Sequence, residues 1–157
     1  MTTNNDILRR LRYTFDFNDT KMIALFAAAE HKVTRAEVSD WLKKEEDDAF
    51  QEMTDQELAI FLNGLINDKR GKREGPQMKP EKRLNNNLVL RKLKIALNLK
   101  DTDMLAIFAL ADMRVGKHEL SAFFRKPGQN QYRICKDQFL RNFLHGLQIK
   151  YRGEKKG

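Results

Sequence analysis

Leu58, Phe61, Leu62 and Leu65 stand at i, i+3, i+4 and i+7, the spacing of a helix that buries one face. The same stripe returns as Leu140, Phe143, Leu144 and Leu147. Earlier stripes behave alike. Leu8, Leu11 and Phe15 are answered by Leu90, Leu93 and Leu97, and Met22, Phe26 and Ala29 by Met104, Phe108 and Ala111. No alternating run of β-branched or aromatic residues marks a strand. The pattern predicts an all-α chain with helices over about 6–16 and 20–30, a third from Thr34 and a fourth from Thr54, then four counterparts. Asn5 is a natural N-cap for the first. Thr34-x-x-Glu37 and Thr54-x-x-Glu57 carry the capping-box pattern for the third and fourth. The second copy has Gly116-x-x-Glu119, which keeps the glutamate and loses the hydroxyl.

Placing Asn86 on Asn4 aligns the chain with itself without a gap, and 26 of 72 paired positions are identical. Identity at one fixed offset marks an internal repeat. The predicted architecture is therefore a tandem repeat of two similar four-helix units related by an approximate two-fold. Residues 1–75 form the first, 76–85 a basic linker with Pro76 and Pro80, and 86–157 the second. Units of about 70 residues are near the lower limit for folding alone, so a shared core is expected. Gly64 and Gly146 recur inside the last helix of each unit, where glycine costs about 1 kcal/mol against alanine. That cost implies close backbone approach, and the expectation is that these faces pack the two units together. Phe50 and Tyr132 stand at equivalent places in the loop before that helix and are expected to pin it.

Charge changes the picture. The net charge is +8, but residues 4–75 carry −3 and residues 86–157 carry +9. Two copies of one unit have diverged in field, which points to an anionic partner for the second. Basic clusters occupy the first helix of each copy (Arg9, Arg10, Arg12; Arg91, Lys92, Lys94) and the end of the fourth (Lys69, Arg70, Lys72, Arg73; Lys150, Arg152, Lys155, Lys156). Cations in a last turn suit the helix dipole; those near a helix start do not, and need carboxylate partners or an anionic ligand. Tyr132 and Tyr151 have basic neighbours, Arg133 on one side and Lys150 and Arg152 on the other, as a base-stacking surface requires. Together with Arg125 and Lys126 these make up the candidate nucleic-acid-binding set: Arg91, Lys92, Lys94, Arg125, Lys126, Arg133, Lys150, Tyr151 and Arg152. In copy one the matching loop is Glu45-Glu46-Asp47-Asp48, which repels phosphate.

Catalytic signals are weak. His31, His118 and His145 do not recur between copies, and no Cys/His metal spacing exists. Gly71 and Gly75 lack the strand and Gly-Lys-Ser/Thr of a phosphate loop. Asp19, Asp101, Asp55 and Asp137 recur but open helices, where capping explains them. Cys135 is the single cysteine and aligns with Met53, so it reads as an apolar filler in a reducing compartment. No apolar run spans a bilayer, and Met1–Asp6 has no basic leader, so a cytoplasmic location is expected.

The motifs Asn-Asn-x-x-x-Leu-Arg-x-Leu, Asp-x-x-Met-x-x-x-Phe and Phe-Leu-x-Gly-Leu each occur twice. With the runs Leu84–Asn87, Ala96–Lys100 and Phe139–Leu144 they make the chain resemble a bacterial YehS-like family of two-repeat proteins. The resemblance covers nearly the whole chain. It implies a small bacterial protein with no assigned activity, and so no catalytic residues. The reading is a non-catalytic binding or regulatory protein without a cofactor, contacting RNA or an RNA-rich assembly through the basic second repeat. Two alternatives stay open. One is a protein–protein adaptor, whose basic repeat would take an acidic protein. The other is a DNA-binding regulator using a helix-turn-helix-like hairpin with Lys117–Lys126 as the reading helix.

Overall fold

The computed structural model describes residues 2–153. Among them are eight helices and no strand: α1 (Asn4–Thr14), α2 (Asp19–Ala28), α3 (Arg35–Leu42), α4 (Asp55–Arg70), α5 (Asn86–Ala96), α6 (Asp101–Leu110), α7 (Lys117–Phe123) and α8 (Asp137–Arg152). Helices α5–α8 repeat α1–α4 in order. No helix among the described residues is long and apolar enough to cross a membrane.

The helix starts follow local chemistry. The first helix begins two residues earlier than the pattern predicts. Thr3, not Asn5, caps it: Thr3 Oγ1 accepts from Asp6 N–H at 3.0 Å, and Asp6 accepts from Thr3 N–H at 3.1 Å. Thr34/Glu37 and Thr54/Glu57 form the same reciprocal box on α3 and α4. Their counterparts Gly116 and Lys136 provide no side-chain cap to α7 and α8. Glycine ends only α4 and α8, at Gly71 and Gly153. Asp16, Glu30, Asn98 and Asp112 take φ of 54°, 62°, 54° and 59° just beyond α1, α2, α5 and α6.

Each unit is built on a close crossing. A Cβ on Gly64 would lie 1.8 Å from the Leu25 carbonyl oxygen, and one on Gly146 would lie 2.0 Å from that of Ile107. The two glycines therefore seat α4 on α2 and α8 on α6, inside each unit, and do not join the units as the sequence suggests. An isolated pattern shows that a backbone must come close but not which one.

The units meet through other faces: α1 lies along α8, and α5 along α4. These two pairings are the same contact related by the repeat. In each, the helices run side by side in the same direction. Thr2 meets Asp137 at the start of α8, and Tyr13 meets Arg152 at its end. The buried side chains of both units belong to one continuous hydrophobic cluster.

Candidate polyanion interface

The most strongly repeated motif is absorbed by the fold. Asn5 is buried; its amide donates to the carbonyls of Trp41 and Gln51, each at 2.9 Å, and its oxygen accepts from Met53 N–H at 3.0 Å. Asn87 does the same with Phe123, Arg133 and Cys135. Asn4 and Asn86 donate to Asp55 and Asp137 at 2.8 Å. The second oxygen of each aspartate then ties down the segment that leads into the other unit's first helix: Asp55 accepts from Leu84 N–H at 2.8 Å, Asp137 from Thr2 N–H at 3.1 Å. The Asn-Asn and Asp signals form a reciprocal clasp about the two-fold. Bonds from Asn86 and then Thr2 hold Asp137 below the ordinary carboxylate value. Cys135 is buried where the pattern places a filler, and burial, followed by Asp137, pushes its thiol up to about 12.

The basic candidates separate into two places. Arg91, Arg125, Lys126 and Tyr132 line one concavity of about 210 Å³ beside α5. The Arg91 guanidinium is held by the Phe124 carbonyl and lies 6.0 Å from the Phe124 ring. Lys94 stands over the same ring at 5.0 Å and pairs with Asp101 at 3.1 Å. Arg133 is exposed beyond them, 4.0 Å from Glu119. Two hydrogen bonds shape the loop. Asn87 takes the Arg133 carbonyl, and Arg133 N–H donates to Ala122. Tyr151 and Arg152 instead pack on the end of α1, and the exposed Lys150 stands 5.6 Å from the Tyr151 ring. The Tyr151 ring lies 5.0 Å from Phe15, and Arg152 sits 4.0 Å over Tyr13, bonded to its carbonyl. Burial, with Asp103 adding to it, raises the Tyr151 phenol.

Lys92 is a correction. It is 6% exposed; its ammonium donates to Asn63 at 2.7 Å and lies 3.1 Å from Glu81, so no polyanion reaches it. The amphipathic pattern missed this because the partner comes from the linker. The hairpin reading is also altered. Helix α7 ends at Phe123, so Arg125 and Lys126 belong to the following loop rather than to a reading helix. Lys155 and Lys156 lie outside the described residues.

The matching surface of repeat one keeps two of the cations but offsets them with two carboxylates. There Arg9, Lys44, Glu45 and Glu46 line an open cleft. The position of Arg125 is Lys43, tied to Asp40 at 2.9 Å, and the position of Tyr132 is Phe50.

A third cleft escapes the sequence reading. It measures about 400 Å³ between α1 and α8 and holds Arg9, Arg10 and Tyr13 opposite Arg141. Burial pulls the Arg10 guanidinium below its ordinary value, against the pull of Asp6. Arg141 lies one turn into α8 and belongs to no cluster in the sequence, so only the packing of α8 on α1 reveals it.

Two four-helix units closed by a reciprocal clasp define a helical tandem-repeat protein. The chain belongs to the family described as "Protein of unknown function (DUF1456)", whose model matches residues 4–71 and again 86–153. It is similar to the "Uncharacterized protein YehS" of Escherichia coli (strain K12), with 45% identity over 145 residues, covering 92% of this chain and 93% of that protein. No solved structure matches it.

Proposed function

We propose that the protein is a non-catalytic, cytoplasmic binding or regulatory protein whose second repeat engages RNA or an RNA-rich assembly. The observation that carries this reading is a contrast at one place in two copies of one fold. Arg91, Arg125, Lys126 and Tyr132 surround the concavity of repeat two, where repeat one sets Glu45 and Glu46 against Arg9 and Lys44. Exposed cations around a half-buried tyrosine suit a phosphate backbone with a base on the ring. The contacts expected from these cations are to phosphate, which carries no sequence information, so binding has little base discrimination. Single-stranded RNA fits better than duplex DNA. The α7 helix has 7 residues and spans only about 10 Å, a short probe for a major groove.

The test is a salt titration of single-stranded RNA binding by full-length protein. Arg125→Glu with Lys126→Glu is compared with Lys43→Glu and Lys44→Glu. The repeat-two pair is expected to weaken binding at least tenfold and to lower the salt slope by about 1.4, from about 0.7 per phosphate contact on single strands. The repeat-one pair changes little. Equal losses from both pairs would refute the asymmetry. Absence of RNA binding at low salt, with capture of an acidic protein, favours the adaptor reading.

A further inference from the structure

Six cations stand in the first helices of the two units, and five of them have an internal oxygen. Arg9 pairs with Asp6 at 2.6 Å and the Lys43 carbonyl at 2.8 Å; Arg12 reaches the Phe17 carbonyl at 3.4 Å. Arg91 has the Phe124 carbonyl, Lys92 has Asn63 and Glu81, and Lys94 has Asp101. Arg10 is the exception. Its Nε is buried with no hydrogen-bond partner, and among the described residues Arg10 makes no ion pair.

The repeat indicates what is missing. Arg10 and Lys92 are equivalent positions on α1 and α5, facing the equivalent partners α8 and α4. On the α4/α5 side the linker crosses the groove without helix. Met78 and Leu84 pack on the core, and the Glu81 carboxylate sits on Lys92. That pair is a charge contact rather than an aligned hydrogen bond, since Glu81 Oε1 has no hydrogen-bond partner there. On the α1/α8 side the same groove is an open cleft of about 400 Å³, within the range of small-molecule sites. Arg141 stands there in place of Ala59, which is fully buried on the filled side. The open copy thus has a second guanidinium, while the nearby carboxylates are already engaged: Asp6 by Arg9, and Asp137, one turn before Arg141, by Asn86 and Thr2.

We infer that the α1/α8 cleft is a carboxylate-binding site, in which Arg10 and Arg141 hold the carboxylate that Glu81 supplies to Lys92 in the other copy, with Tyr13 and Leu144 as the apolar wall. Guanidinium forks suit a carboxylate in two-point contact. The ligand is a small organic acid or a glutamate side chain of a short peptide; both present the same group. The site is separate from the basic concavity of repeat two and does not depend on RNA binding.

The test is amide NMR of full-length protein at constant ionic strength, titrated with succinate and, separately, with acetyl-Leu-Glu-Leu-amide. Saturable shifts at Arg10, Tyr13, Arg141 and Leu144 are expected with at least one probe. Success with succinate alone assigns a free acid, and success with the peptide alone assigns a side chain. Arg10→Met and Arg141→Ala each weaken binding at least tenfold. Arg10→Lys, which restores the residue type of the filled copy, costs no more than a few-fold. Arg141 is exposed, so its variant keeps the fold even if Arg10→Met does not. Arg125→Ala leaves the titration unchanged. No saturation with either probe, shifts centred on Arg125 and Lys126, or full binding by Arg141→Ala would each overturn the inference.

Discussion

At the scale of the residue, Asn5 and Asn87 show how a polar side chain specifies a fold from inside. Each satisfies three backbone groups, one in the last turn of the unit's third helix and two in the loop that precedes its fourth. Asn87→Ala leaves those groups without a partner in a buried place, and a loss of about 3 kcal/mol is expected in denaturant unfolding. Asp137 gives a pH signature. Its folded value lies below the ordinary one, so its contribution is complete above the ordinary value and is lost as pH falls through the folded value. Asp137→Asn should therefore be less stable than wild type near neutral pH, and the gap should close as the pH falls through the lowered folded value. A gap that stays constant with pH would show that the clasp does not depend on the charge. Neither role was legible in the sequence. An Asn-Asn pair before an apolar stripe reads as a cap, and the short-range reading assigned it one. The true partners of the pair lie 36 to 51 residues away.

At the scale of the element, the two copies trade capping against packing at one position. Glu57 closes the box on α4. Its counterpart Phe139 instead lies 5.3 Å from Phe123 and 6.5 Å from Phe108. In repeat one Trp41 stacks directly on Phe26 at 5.3 Å; Phe123 is smaller, and Phe139 fills in. The lost box on α8 is thus coupled to a smaller core residue on α7. At α7 itself no such trade exists. Gly116 has extended backbone, and a Cβ there meets nothing within 4 Å. Gly116→Thr should rebuild the box with Glu119 and reduce unfolded-state freedom, adding about 1 kcal/mol to stability by thermal unfolding. No gain would mean that Glu119 is held elsewhere, for instance by Arg133. Helix number, order and faces were legible because apolar spacing is a local property of the chain. Boundaries were less so, because Asp16, Glu30, Asn98 and Asp112 stop helices in a conformation that sequence assigns to glycine.

At the scale of the whole molecule, the repeat predicted two similar units, and charge located the basic one. How the units dock was not legible, since two glycines cannot announce which backbone they admit. The candidate site was legible in part for the same reason. Arg91, Arg125, Lys126 and Tyr132 converge because one loop folds against one helix, whereas Lys92 and Arg141 depend on partners across the two-fold. That docking has a thermodynamic consequence. Four features tie the units: α1 on α8, α5 on α4, the two crossing aspartate bonds, and one shared cluster of buried side chains. Each unit alone has a small core, so the pair should unfold in a single transition. The chain supplies its own reporter, because Trp41 is the single tryptophan and lies buried in repeat one. Gly146→Ala places a Cβ against the Ile107 carbonyl in repeat two. The helix gains about 1 kcal/mol of propensity, but the forced backbone shift costs about 3, for a net loss near 2 kcal/mol. If folding is cooperative, Trp41 fluorescence must register that loss in full, and its transition must coincide with the one seen by far-ultraviolet circular dichroism. A Trp41 transition that stays at the wild-type midpoint while helicity falls earlier would show two independently stable repeats.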